Sequence, residues 1–361
     1  MSGFSATDKR MMQMALSLGR RHLGGTWPNP SVGCVIVKED RVVGRGVTAD
    51  GGAPHAETQA LDQAGPAANG ATAYVTLEPC AHHGRTPPCA EALVKAKLAR
   101  VVYAAGDPNP AVNGKGAEIL RDAGIKVEHG LLEKEATIDN AGYLTRIRHN
   151  RPMVTLKLAT TLDGKIATKT GESQWITGQA ARRFTHLLRA QHDAIMVGSG
   201  TALADDPSLT VRGLGNLPNP VRIVLDSKLQ VKSTSKLLST ASEVPVFVFH
   251  DQAQTPAALE GVEFIAGKTG LVLDDVLSKL AECGITRLFC EGGARLAASL
   301  IAGGYVDQIY LMQAGKVIGG DGLTAIGDID LSTLGDASNF DLVQNWELGG
   351  DLISHWRRPP A

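Results

Sequence analysis

The chain has 361 residues, 43% hydrophobic and 20% charged, with a formal net charge of −1; this length exceeds one ordinary core, so two domains are expected. Near-neutral charge without a basic stripe argues against a general nucleic-acid binder, and no uninterrupted apolar stretch reaches the ~20 residues of a membrane span. Aromatics are only 4%, so the cores must be built from Ala, Val, Leu and Ile.

The N-terminal segment MSGFSATDKRMMQMALSLG reads as a capped amphipathic helix, not a signal peptide, because no long apolar run follows a basic start. A cytoplasmic location is therefore expected. There the five cysteines are core residues, metal ligands or redox thiols more readily than disulfides. SVGCVIV and RVVGRGV form a strand pair around the turn KED. A helix opening at PHAET follows, then the strand ATAYVTL, a helix near CAEALVKAKL, the strand RVVYAAG, a helix over GKGAEILRDAG, the strand IKVEHG and a polar helix from about Leu131. This is an α/β layered domain with one hairpin. The pattern breaks in the basic cluster Arg146 to Pro152, which sets a boundary near residue 150 and divides the chain into 1–150 and 151–361. A second α/β series follows: MVTLKLAT, a helix over GQAARRFTHLLRAQ, AIMVGSG, VRIVLDS, VPVFVFH, a helix over LDDVLSKLAEC, RLFCEGG, a helix over ARLAASLIAGG, and QIYLMQAG. The end reads as a hairpin turning at Gly349-Gly350, and Gly213 to Pro220 as a mobile loop.

His55 and Glu57 crowd into the first turn of one helix, an odd use of that turn unless both serve chemistry. The segment LEPCAHHGRTPPCAEAL, from Leu77, supplies Cys80 and Cys89. One imidazole and two thiolates make three ligands for a tetrahedral Zn²⁺ and leave the fourth position for water, as in a catalytic site rather than a closed structural one. Zinc brings the pKa of such a water to about 7, and Glu57 can take its proton without binding the metal. Both cysteines are expected near helix N-termini, where the dipole helps form thiolates. The order H-x-E, then P-C, then C is that of zinc nucleobase deaminases. Eight residues separate the cysteines here instead of two, so the loop must fold back. Within that loop His82 and His83 are rival ligands or substrate contacts. Cys34, Cys283 and Cys290 are expected in the core.

In the second half LFCEGGARLAASL offers a phosphate cradle: a strand, then Gly292-Gly293, then a helix with free N–H donors at its start. It is not the G-x-G-x-x-G fingerprint. Lys157 lies inside an apolar strand, where burial is costly unless it meets an anion, and is expected to face the substrate.

PNPSVGCVIV, PHAE, TLEPCAHHGRTPPC, DPNP and GESQWIT together resemble the bifunctional RibD family of riboflavin biosynthesis. The resemblance runs from about residue 7 to 355, with Ala81 a small departure where Ser is common. It implies a cytidine-deaminase-like α/β/α domain followed by a dihydrofolate-reductase-like α/β domain. It also implies two steps on one small molecule: zinc-dependent hydrolytic deamination of 2,5-diamino-6-(5-phosphoribosylamino)pyrimidin-4-one, then NADPH-dependent reduction of its ribosyl chain to ribityl. Matched by motif, His55, Cys80 and Cys89 hold zinc and Glu57 shuttles protons. Asn29 and Asn109 either hydrogen-bond the substrate or serve as turn residues beside prolines. Ala159, Trp175, Thr201, Asp205, Ser227 and the run Gly293, Ala294, Arg295, Leu296, Ala297, Ala298 and Ser299 match the family's NADPH contacts. Ser173, Arg189, Leu209, Arg212 and Glu291 match its substrate contacts, and the two guanidinium groups suit a ribose phosphate. Trp175 either packs on the cofactor or caps the core. A homodimer is expected on the same ground. The competing expectation is an RNA or nucleoside deaminase with a C-terminal binding module, disfavoured by the neutral charge and scarce aromatics.

Overall fold

The computed structural model describes residues 3–82, 87–268 and 270–359. The chain divides into two compact units, Met1–Arg151 and Pro152–Ala361.

In the first unit α1 (Ala6–Arg20) starts from a capping box: the Ser5 hydroxyl accepts from the Asp8 N–H while the Asp8 carboxylate accepts from the Ser5 N–H. That pairing satisfies two of the donors every helix start leaves open. β1 (Gly33–Lys38) and β2 (Arg41–Val47) form the hairpin, joined by Glu39 and Asp40, both at positive φ. Two such residues give the turn whose twist matches paired strands. α2 (Ala56–Ala64), β3 (Thr72–Leu77), α3 (Cys89–Lys95), β4 (Arg100–Ala105), α4 (Lys115–Asp122) and β5 (Lys126–His129) follow. The sheet order is β2-β1-β3-β4-β5, antiparallel through the hairpin and parallel from β3 to β5. β3 and β4 are nearly continuous buried apolar runs, as strands covered on both faces must be. The polar helix expected from Leu131 is two, α5 (Glu133–Asp139) and α6 (Ala141–His149). The basic cluster at the boundary is thus mostly helical; Asn150, at φ 50°, ends it, and Pro152 cannot continue it.

The second unit contains β6 (Met153–Thr161), β7 (Lys165–Ala167), α7 (Gln179–Ala190), β8 (Ala194–Gly198), α8 (Ser199–Asp205), β9 (Val221–Leu225), α9 (Lys236–Ser239), β10 (Val246–Asp251), β11 (Val262–Gly267), α10 (Leu273–Glu282), β12 (Arg287–Cys290), α11 (Ala294–Ala302), β13 (Val306–Ala314), β14 (Leu323–Thr324), β15 (Asp341–Leu348) and β16 (Asp351–Arg357). Nine strands form one sheet, β11-β10-β9-β8-β12-β6-β13-β16-β15, parallel as far as β13 and closed by the antiparallel C-terminal hairpin, whose turn is Gly349-Gly350. β7 and β14 pair separately. The sequence pattern did not signal β11, an edge strand with no burial alternation, nor the short α8 and α9. Cys34 and Cys290 are fully buried in the cores as expected, but Cys283 is exposed. It caps the C-terminal end of α10 on the outer side, two positions past Ala281, the last of the buried stripe of Val276, Leu277, Leu280 and Ala281.

Candidate active sites

The first site is built where β3 ends and α2 and α3 begin. α2 lies so close to β2 that a Cβ on Gly46 would stand 2.0 Å from the Ala56 carbonyl oxygen. Only a glycine admits that approach, and it seats His55, the residue preceding α2, over the sheet. His55 itself is extended at φ −71°, ψ 161°. Beyond β3, Gly116 of α4 would place a Cβ 1.9 Å from the Pro79 carbonyl oxygen, fixing the chain just before Cys80. Cys89 is the first residue of α3, whereas Cys80 lies in neither helix nor strand and comes near a helix N-terminus only through space. α3 still reaches Cys80: the Cys89 N–H donates to Cys80 Sγ at 3.2 Å and the Ala90 N–H to the Cys80 carbonyl at 3.1 Å.

The loop therefore folds back. His55 Nδ1 is 3.3 Å from Cys89 Sγ and 3.6 Å from Cys80 Sγ, and the three donor atoms all lie within 4.8 Å of one another. One nitrogen and two sulfurs converging without a competing carboxylate suit Zn²⁺. His82 is exposed on the rim of the same cavity and outside this trio; His83 lies outside the described residues. The hydrogen bonds from Cys89 hold the Cys80 thiol below its usual range, whereas bonding to Cys80, and then burial, push Cys89 up. The bond to Cys80 raises His55. Glu57 is only 4% exposed, and burial, then the Cys80 charge, push its carboxyl up to about 7.

His55, Glu57 and Cys80 line a cavity of about 370 Å³ walled also by Asn29, Thr48, Glu78, Asp107, Asn109 and Tyr143. Asn29 donates to the Gly52 carbonyl at 3.3 Å, and Asn109 accepts from the Ala111 N–H at 3.0 Å. Each asparagine is thus both a loop brace and part of the cavity wall. Asp107, buried, accepts from the Tyr143 hydroxyl at 3.1 Å and the Asn109 N–H at 2.9 Å. Sequence reasoning passed over Asp107 and Tyr143; the first was in plain view in DPNP, the second 36 residues away on another helix.

The second site is a cavity of about 640 Å³ at the carboxyl ends of β6, β8 and β12, where parallel sheets usually bind ligands. Lys157, Ala159, Ser173, Trp175, Arg189, Thr201, Asp205, Leu209, Arg212 and Glu291 all line it. Glu291 joins two cations, with Arg189 Nε at 2.6 Å and Lys157 Nζ at 3.8 Å. Burial draws the Lys157 ammonium below its usual range against the pull of Glu291. Burial also acts to raise Glu291, but Arg189 and Lys157 outweigh it and hold the carboxyl low. Asp205 is raised by burial. Trp175 does not cap the core: it is 62% exposed, with the Arg182 guanidinium 4.6 Å over its ring.

Ser227 and the run from Gly293 are not in the cavity wall. Gly293 adjoins it, since a Cβ there would meet Thr201 Oγ1 at 3.4 Å. Gly293 precedes α11, whose Ala297 and Ala298 are buried in the core while Arg295 is exposed. Arg182, His186 and Lys236 line the cavity without having been singled out; no motif marks them, because helices α7 and α9 bring them in separately.

Residues 5–105 match the family model described as the cytidine and deoxycytidylate deaminase zinc-binding region. Residues 152–354 match the RibD C-terminal domain model. The chain is 44% identical over 354 residues to the riboflavin biosynthesis protein RibD of Aquifex aeolicus, covering 97% of this chain and 98% of that one. This chain belongs to the RibD family. The Escherichia coli RibD is 42% identical over 361 residues, covering 96% and 98% of the two chains. Among solved structures, an Acinetobacter baumannii RibD superposes with a TM-score of 0.89 at 40% identity, over 98% of this chain and 99% of that one. A Thermotoga maritima diaminohydroxyphosphoribosylaminopyrimidine deaminase/5-amino-6-(5-phosphoribosylamino)uracil reductase does so with 0.88 at 33% identity, over 98% and 99%. RibD membership accounts for the pairing of a mixed-sheet zinc unit with a larger, mainly parallel one. Among the described residues no helix is long and apolar enough to cross a membrane.

Proposed function

We infer that the two cavities carry two successive reactions on one pyrimidine. The protein is a bifunctional enzyme of riboflavin biosynthesis, a hydrolytic deaminase and an oxidoreductase, with Zn²⁺ and NADPH as its cofactors. The observation that carries the first half is the convergence of His55, Cys80 and Cys89 beside a buried Glu57.

In our reading His55, Cys80 and Cys89 hold the metal, which when bound makes a water nucleophilic near neutral pH. Glu57, buried beside these ligands, accepts a proton from the attacking water and returns it to the departing 2-amino nitrogen. Asn29, Asn109 and Asp107 orient the pyrimidine edge, and Tyr143 fixes the Asp107 carboxylate. In the second cavity NADPH supplies the hydride. Ala159, Trp175, Thr201 and Asp205 lie where they can hold it; the N–H groups opening α11 and Ser227 reach its phosphates if the cofactor extends past the cavity rim. Lys157, Ser173, Leu209 and Glu291 face the ribosyl chain. Arg189 is anchored through Nε to Glu291 and through Nη1 to the Thr210 carbonyl, and Arg212, whose guanidinium has no such anchor among the described residues, is the one we assign to the phosphate.

Zinc analysis with the two half-reactions assayed separately tests this. Chelation is expected to stop ammonia release and spare NADPH oxidation on the deaminated intermediate; loss of both, or of neither, overturns the assignment. A cytoplasmic homodimer completes the proposal. Leu158, Ile309, Leu311, Phe340 and Trp356 line an apolar recess on the second sheet, and Leu162 beside it is 60% exposed, a surface that suits a second copy. A monomer by light scattering at micromolar concentration would remove it.

A further inference from the structure

The loop that carries Arg212 is held to α7 at two neighbouring main-chain groups. Arg189 donates through a terminal guanidinium nitrogen to the Thr210 carbonyl at 2.9 Å. His186, one turn earlier on the same helix face, accepts the Arg212 N–H on Nδ1 at 3.2 Å. Beyond Arg212 the chain runs through residues 213–219, all but Leu214 exposed, without helix or strand. Among the described residues the His186 contact is thus the last tie to the helix before that stretch. The Arg212 guanidinium lines the cavity and makes no hydrogen bond or ion pair among the described residues. The main-chain position of Arg212 therefore sets where that side chain starts.

We propose that His186 is a positioning residue: as a neutral imidazole it fixes the Arg212 main chain, and thereby aims the guanidinium at the phosphate of the reductase substrate. The inference rests on the reading of Arg212 as the phosphate contact. Only an unprotonated ring nitrogen can accept an N–H. The charged groups facing the ring are Arg189 on its own helix, Arg212 on the loop and Glu291 at the end of β12. Burial and the two guanidinium groups hold the imidazole below its usual range, outweighing Glu291 and the Thr210 main chain. A bidentate guanidinium–phosphate pair depends on orientation, so a loosened main chain weakens substrate binding more than hydride transfer.

The test is steady-state reductase kinetics on the zinc-loaded full chain with 5-amino-6-(5-phosphoribosylamino)uracil and with its phosphate-free counterpart. His186→Leu is expected to raise KM for the phosphorylated substrate about tenfold, or about 1.4 kcal/mol, with kcat within about twofold. His186→Gln, which keeps a neutral acceptor, is expected to behave like the unaltered enzyme. Arg212→Ala should raise KM at least as far, and the double variant His186→Leu/Arg212→Ala no further, because the two act through one contact. The phosphate-free substrate should not respond to any of them. If Arg212→Ala leaves KM unchanged, the phosphate reading fails and the inference with it. If Arg212→Ala raises KM while His186→Leu does not, lowers kcat instead, or multiplies the effect of Arg212→Ala, only the positioning role is overturned.

Discussion

The two cavities solve the problem of gathering polar groups in opposite ways. In the first unit three ligand atoms and a carboxylate come from two short segments, residues 55–57 and 80–89, drawn together by main-chain contacts at Gly46 and Gly116. In the second, Lys157, Arg189 and Glu291 come from β6, α7 and the end of β12, and charge pairing joins them. A metal site concentrates its chemistry in a few atoms and so leaves a compact imprint on the chain. A cofactor site spreads it over a wide surface and leaves almost none.

That contrast makes the first site brittle to single-atom changes and independent of the second. Glu57→Gln is expected to lower ammonia release by about 10²- to 10⁴-fold, the usual worth of a general acid–base group, while zinc content and NADPH oxidation on the deaminated substrate stay unchanged. A parallel fall in both activities would break the comparison. In the second unit Glu291→Gln leaves two buried cations without their shared carboxylate, and unpaired buried charge is costly. Reductase kcat/KM should fall by about 100-fold, some 3 kcal/mol, with deamination intact; an unaltered rate would show the triad to be only structural.

Smaller effects sharpen the difference. Gly116→Ala drives a methyl group into the Pro79 carbonyl; overpacking of this kind costs about 1–3 kcal/mol. Calorimetry should show the first unit melting earlier and the second unmoved, with zinc affinity weakened because Cys80 is displaced. Acid should act mainly on the second unit. Burial holds His192 near 3 and His355 near 4, below the unfolded value of about 6.5. The unfolded chain then binds more protons than the folded one between pH 6.5 and about 4, so stability falls as pH drops through that window, by about 1 kcal/mol per unit for each histidine. In the first unit the Asp8 carboxyl lies far below its usual range: burial opposes this, but Arg100, Tyr74 and Ser5 outweigh it. Its contribution therefore survives until much lower pH. Earlier acid melting of the first unit would contradict this.

How much the sequence foretold follows the same division. His55, Glu57, Cys80 and Cys89 could be paired from residue type and order alone, because few chemistries need that set. What spacing could not say was how eight intervening residues return; the answer lies in the first N–H groups of α3 turned back onto Cys80. The elements of the second unit were legible where apolar periodicity was strong, as in β6, α7 and α11. They were illegible at β11 and α8, whose burial is partial. Cys283 went astray because an apolar helix stripe does not reveal where the final turn leaves the core. Lys157 was correctly seen to need an anion, yet the carboxylate that meets it comes from 134 residues downstream, beyond any local pattern.

The Glu291 bridge has a consequence for how the reductase cavity reads ionic strength. Because one carboxylate already serves two cations in the interior, added salt finds little there to screen. The guanidinium of Arg212, without a partner among the described residues, is open to competing anions. Sulfate or chloride should therefore compete with substrate at the mouth of the pocket while leaving turnover of bound molecules untouched.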